Sequence, residues 1–327
     1  MPQTNGIKNS ASQRAAAVVA KPLLHSGVRD LGRVLVTGAR GFLGAAAVSG
    51  LRAQGVEVVA SDIFESGADD ARITHCDVAD FEQVEMAIRE GDFGTILHCG
   101  AVSGPMVMPD RPLEIWRINA GGTVNLLEAV RRCGVGKVII CSTSEVYGTC
   151  SGHVDETTLP RPASVYAASK LAAEQAMLGF VDEHGVDAVA LRLSWIYGPG
   201  RTTSTALEKA LREGLQGRDA VIDAAPEAPT HYIHIDDALQ GLLRAATSAT
   251  PGERLFNITA GPAVPMSMVA RLIEQMTTNV TVGCKPEANP APGITHIDNS
   301  LAARALGFKV AVPLAEGLKH YRAALLE

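Results

Sequence analysis

Six short apolar runs, scarcely broken by polar residues, recur through the first two thirds of the chain: RVLVTG (33–38), VEVVASD (56–62), ARITHCDV (71–78), GTILHCGA (94–101), VGKVIICSTS (135–144) and VDAVALRLS (186–194). Between them lie longer stretches whose apolar positions repeat with helical spacing. These are GFLGAAAVSGLRAQG (41–55), FEQVEMAIREG (81–91), PLEIWRINAGGTVNLLEAVRRCG (112–134) and SVYAASKLAAEQAMLGFVDEHG (164–185). A strand that is apolar at every position is buried on both faces. Alternation of such strands with amphipathic helices therefore predicts an α/β fold with a doubly wound parallel sheet.

The regularity loosens after Tyr197. TALEKALREGLQG (205–217) has helical spacing, DAAPEAPTH (223–231) reads as loop, and YIHIDDALQGLLRAAT (232–247) turns helical at Asp236 or Asp237. RLFNIT (254–259) has the character of one last strand. The expected organisation is an N-terminal extension over 1–30, a sheet domain over 31–197, and a smaller C-terminal substrate lobe over 198–327. Residues 232–258 are expected to return to the sheet.

Composition narrows the function classes. A net charge of -6 gives no electrostatic footprint for nucleic acid or an anionic membrane. No apolar run has the length of a membrane span. The six cysteines are scattered singly and no cysteine or histidine cluster has metal spacing, so buried reduced thiols, a cytoplasmic setting and no metal site are expected. The first thirty residues carry Lys8, Arg14, Lys21 and Arg29 with no acid before Asp30. That composition is shared by flexible extensions and by organelle transit peptides, with targeting the less favoured reading.

VTGARGFLG (36–44) places Gly38, Gly41 and Gly44 between the first strand and the first helix. Glycines there permit a tight turn and bring backbone N–H groups against a pyrophosphate, with Phe42 and Leu43 opening a helix whose N-terminus is partly positive. Asp62 ends the second strand, placed to hydrogen-bond an adenosine ribose and to repel a 2′-phosphate. Arg40 would favour that phosphate, but Asp62 lies at the ribose end, so NAD is expected over NADP. Asp77, next to Val78, ends the third strand and is either an adenine contact or a turn residue.

Tyr166 and Lys170 stand four residues apart in SVYAASK (164–170), on one face of a helix. An ammonium beside a phenol stabilises phenolate and makes tyrosine a usable base. Thr143 and Ser144 close the fifth strand at the carboxyl edge of the sheet, where such sheets bind ligands. A phenol, an ammonium and a hydroxyl beside a dinucleotide suit the oxidation of a carbinol.

In this order TGARGFLG, STSEVYG, YAASK and RLSWIYGPG resemble the extended short-chain dehydrogenase/reductase family, also called the NAD-dependent epimerase/dehydratase family, over roughly residues 32–327. The resemblance implies a Rossmann domain with Tyr166 as base, Lys170 as its partner and ribose ligand, and Thr143 steadying the substrate oxygen. It adds Ala101 and Asn119 to the cofactor site, and implies a homodimer through the helices near 112–133 and 165–184. Departures bear on the substrate. Ser144 before Glu145 replaces the acid that dehydratases carry, and Trp195 stands where many nucleotide-sugar enzymes have asparagine. Only Arg201, Arg212 and Arg218 lie between 198 and 231. A sugar or sugar acid is therefore expected as substrate, contacted by Ser103, Ser144, Glu145, Trp195 and His231, with Met106 close by. Epimerisation of a nucleotide sugar on tightly held NAD is the alternative, and a non-catalytic NAD(P)-binding sensor the second. His234 is expected to pack under a helix capped by Asp236.

Overall fold

The computed structural model describes residues 27–63, 73–104, 107–201, 203–249, 252–285 and 293–327. Seven strands form one sheet: β1 (Val34–Thr37), β2 (Val58–Asp62), β3 (Ile73–His75), β4 (Thr95–His98), β5 (Lys137–Thr143), β6 (Ala188–Leu193) and β7 (Leu255–Ile258). Their spatial order is β7-β6-β5-β4-β1-β2-β3, and every pairing is parallel. All positions of β1, β4, β5 and β6 are buried, which is why these segments read as unbroken apolar runs.

One face of the sheet packs against α1 (Phe42–Ala53) and the helix Ile235–Thr247, through a core that includes Leu51, Ile139, Leu191, Leu242 and Phe256. The other face is covered by helices Phe81–Gly91, Gly122–Cys133 and Val165–His184, through Ile88, Ile96, Leu127 and Met177. A third apolar core joins helices Ala206–Leu215, Met266–Glu274 and Leu314–Leu326 around Leu211, Val269 and Tyr321. The two bodies meet where Trp195–Tyr197 pairs in parallel with Tyr232–His234. No helix among the described residues is long and apolar enough to cross a membrane.

Three details differ from the sequence reading. The packed chain starts before residue 31, because Val28 is fully buried in the sheet core; residues 1–26 of the expected extension lie outside the described residues. The segment 112–133 is not one helix. Pro112–Trp116 leads into a wide π-helical turn, Arg117–Gly121, before Gly122–Cys133. Thr123 donates its hydroxyl to the Asn119 carbonyl at 2.7 Å, and a Cβ on Gly122 would come within 2.9 Å of Val78. The turn so aims Asn119 inward, as wide turns often do at functional sites.

The third difference concerns the helix Ile235–Thr247, whose N-cap is His234 and not Asp236. The His234 Nδ1 accepts the Asp236 N–H at 3.3 Å, and burial lowers the imidazole pKa, keeping that nitrogen an acceptor. Asp237 is buried and accepts the backbone N–H groups of Ala311 and Val312 at 2.9 and 3.0 Å. The helix starts early because the strand ending at His234 delivers Ile235 directly into the core.

Candidate active site

The strand order reverses between β1 and β4, and a cavity of about 510 Å³ opens there at the carboxyl ends of the strands. Gly38 has φ +64°, and a Cβ on it would lie 2.6 Å from the Gly100 backbone. A Cβ on Gly44 would lie 2.1 Å from the Gly38 carbonyl. These two glycines let loop, strand and helix close on one another. Gly41 differs: it is exposed, lines the cavity, and its missing side chain would meet only the Gly38 oxygen, at 3.1 Å. The helix it opens has no side-chain cap and no acid in its first turn, which leaves the first N–H groups to an anion.

Phe42 and Leu43 line the same cavity, and the Arg201 guanidinium lies 5.7 Å from the Phe42 ring centre. Asp62 lines it at the end of β2, its Oδ2 accepting the Arg40 N–H at 2.9 Å. The carboxylate is thereby held beside the glycine turn. Asp77, Val78 and Ala101 are also in the wall. Asp77 is a turn residue as well, its Oδ1 accepting the Ala79 N–H at 2.9 Å. These features suit a dinucleotide: a bare helix start for the diphosphate and a carboxylate for a ribose.

Tyr166 and Lys170 sit on the helix Val165–His184, whose Ser164 cap accepts the Ala167 N–H at 3.1 Å. Both line the cavity, as do Thr143 and Glu145. The Thr143 hydroxyl accepts the Glu145 N–H at 3.2 Å and stands in the same cavity wall as the Tyr166 phenol. Glu145 Oε1 accepts the Trp195 indole N–H at 2.7 Å, joining two of the expected substrate contacts across the cavity rim. The expected acidification of the phenol is reversed in this pocket. Burial raises the Tyr166 pKa to about 12, Thr143 opposes the rise, and the Glu145 charge adds to it. Lys170 Nζ instead donates to the Cys141 carbonyl at 2.8 Å, and burial lowers its own pKa.

Not every expected residue reaches the cavity. Asn119 lies behind it, exchanging hydrogen bonds with Val102 (2.8 Å from the Val102 N–H, 3.3 Å to its carbonyl) and donating to Ser169 Oγ at 3.1 Å. It ties the loop after β4 to the helix of Tyr166 and Lys170, because its carboxamide is fully used there. Ser144 is buried in the 3-10 turn Ser144–Tyr147 and is not in the cavity wall. His231 is also away from the wall, its ring nitrogens 3.2 and 3.0 Å from the Gly261 and Ile294 carbonyls, and burial lowers its pKa. Ser103 lines the cavity; Met106 lies outside the described residues. Arg201 in the wall was not singled out by the sequence reading, although it follows the YGPG turn directly.

His98 supports the site from beneath. Thr37 Oγ1 accepts the Gly100 N–H at 3.1 Å and lies 2.8 Å from His98 Nδ1; His98 Nε2 lies 3.2 Å from Thr123 Oγ1. Thr123 spends its single proton on the Asn119 carbonyl, so Nε2 must donate and Nδ1 accept. Burial first, and the Lys170 charge second, lower the His98 pKa from 6.5 to about 3. The unfolded chain takes up a proton near 6.5 that the folded chain refuses, so this stability is present above 6.5 and lost as pH falls toward 3. Between pH 7 and pH 4 the parent protein should lose about 3 kcal/mol more than His98→Asn, measured by urea unfolding. Equal losses would disprove it.

Fold and cavity together define a dinucleotide-binding enzyme of the doubly wound class. Residues 34–259 match the NAD dependent epimerase/dehydratase family, and the chain belongs to that family. It is 31% identical over 309 residues to a UDP-glucose 4-epimerase of Mycolicibacterium smegmatis, covering 88% of this chain and 96% of the relative. It is 28% identical to UDP-glucuronate 4-epimerase 4 of Arabidopsis thaliana, covering 88% and 74%. Among solved structures, UDP-glucose 4-epimerase of Thermotoga maritima with UDP-glucose is similar at a TM-score of 0.82 and 25% identity, over 90% of this chain and 98% of that one. The Thermus thermophilus UDP-glucose 4-epimerase complex with NAD gives 0.77 and 27%, over 90% and 99%.

Proposed function

We propose that the chain oxidises a secondary alcohol carbon of a sugar or sugar acid with NAD, Tyr166 taking the hydroxyl proton. NAD, held by the glycine turn, the start of α1 and Asp62, supplies the hydride acceptor. The observation that carries this reading is that Tyr166, Lys170 and Thr143 stand together in the wall of the cavity that also holds the glycine turn. Thr143 lowers the phenol pKa against burial and so favours its anion; Lys170 places a buried positive charge in the same wall. Glu145 and Trp195 mark the substrate side of the cavity, and Arg201 offers a partly buried cation to an acidic substrate group.

A second reading, 4-epimerisation of a UDP-sugar, is favoured by the activities of the relatives. Both readings begin with the same proton and hydride removal. A free sugar is preferred here because Arg212 is bonded to Glu208 and Arg218 to Glu213, which leaves Arg201 as the arginine in the cavity wall from that stretch. The test is a panel of free sugars, sugar acids and UDP-sugars, read by NADH absorbance and product stereochemistry. NADH formed from a free sugar or sugar acid supports the first reading. A UDP-sugar inverted at one carbon without net NADH replaces it by the second, and inertness toward the whole panel overturns both.

The same reading divides the chain into an NAD-binding body that takes in Val28 and runs to 197 and a substrate lobe over 198–327, with 232–258 rejoining the first. Free cysteines are in keeping with a cytoplasmic protein. A homodimer is supported by Leu113, Trp116, Val124 and Val165, large apolar residues exposed on the helices of 112–133 and 165–184.

A further inference from the structure

Cys99 follows β4 and Cys141 lies in β5. The register pairs His98 with Ile140, so the two cysteines come next, opposite each other on neighbouring parallel strands. Their sulfurs are 3.6 Å apart and both line the cavity, Cys99 half-buried and Cys141 more so. A disulfide needs about 2.05 Å between sulfurs, so roughly 1.5 Å of closure suffices. Either thiol can donate the hydrogen bond between them, and the Lys170 ammonium, bonded to the Cys141 carbonyl at 2.8 Å, favours a thiolate at the pair against the cost of burial.

We infer that Cys99 and Cys141 are an oxidisable dithiol site in the wall of the cavity, which a hydroperoxide entering through that cavity converts into an intrachain disulfide. The proposal goes beyond the dehydrogenase reading. The Cys141 sulfur attacks a peroxide oxygen and the O–O bond breaks, giving a sulfenic acid and, with the thiol proton, one water. The Cys99 sulfur then attacks the Cys141 sulfur, the S–O bond breaks, and the hydroxyl leaves as a second water with the Cys99 proton. Two thiols lose two electrons and one hydrogen peroxide gains them. The site is tied to Tyr166 chemistry because the Cys141 carbonyl is the acceptor for Lys170 Nζ.

The test treats the full chain, freed of NAD, with limiting hydrogen peroxide, alkylates remaining thiols and maps peptides by mass. The expected product is about 2 Da lighter, with the peptides of Cys99 and Cys141 joined and dithiothreitol restoring both thiols. In Cys99→Ala, which cannot form the link, dimedone should trap the sulfenic acid at Cys141. NAD at ten times its Kd should slow the linkage about tenfold, because it occupies the access route. Links confined to Cys76, Cys133, Cys150 or Cys284, with both cavity thiols still alkylated, would overturn the proposal. So would a rate indifferent to NAD, which would place the entry route elsewhere.

Discussion

Replacing Tyr166 by phenylalanine should lower turnover about 10²–10⁴-fold while leaving NAD affinity within about twofold. The change deletes one hydroxyl from a side chain that is 8% exposed and keeps its ring packed with Val102 and Ile115. What is lost is the proton acceptor in the cavity wall. Isothermal calorimetry with NAD and steady-state rates on the same preparation separate the two effects. Turnover within tenfold of the parent would remove Tyr166 from the chemistry.

The same site sets a pH dependence. With the phenol raised to about 12, the fraction present as phenolate grows with pH, so the oxidation rate should climb through the alkaline range. Because the Glu145 charge contributes to the rise, Glu145→Gln should move the profile to lower pH; the amide oxygen can still accept the Trp195 indole N–H.

Most of the fold was legible because it is written in local periodicity. The apolar runs at 34–37, 95–98, 137–143 and 188–193 became buried strands with no surviving alternative, since a strand apolar on both faces has only the sheet interior to occupy. Tyr166, Lys170 and the glycine turn were legible because each motif needs a fixed spacing on one element. What failed was information carried by distant parts of the chain. His231 was placed near substrate from its position in a loop, but two carbonyls from residues 261 and 294, remote in sequence, enclose its ring. The pairing of Cys99 with Cys141 depends on the register between β4 and β5, which neither segment reveals alone. The phenol pKa was misjudged for a related reason: helical spacing brings Lys170 to the right face, yet the Cys141 carbonyl on another strand claims its ammonium.

Glu174 continues the stripe of Tyr166 and Lys170 one turn further along the helix, and a charge on that buried face signals a partner that sequence alone does not name. The partner is Arg192 of β6, and both side chains are essentially out of solvent. Arg192 donates from Nε and Nη2 to Glu174 at 2.8–3.2 Å and from Nη1 to the Tyr147 hydroxyl at 3.0 Å, while Ser142 Oγ donates to Glu174 at 2.5 Å. Glu174→Ala should therefore cost about 3–5 kcal/mol of stability, because it strands the guanidinium in a dry interior and orphans a serine hydroxyl. Urea unfolding measures it. Glu174→Gln, which keeps the acceptor but not the charge, should fall between parent and alanine. The double change Glu174→Leu with Arg192→Met should recover much of the loss, since an apolar pair avoids the desolvation cost of the ions. A loss below about 1 kcal/mol for Glu174→Ala would mean that water reaches the pair. The bridge joins the helix of Tyr166 to β6 and, through Ser142, to the strand that carries Thr143. Loosening it should therefore also slow turnover in the alanine variant by disturbing the Thr143–Tyr166 geometry, with NAD affinity changed less than rate.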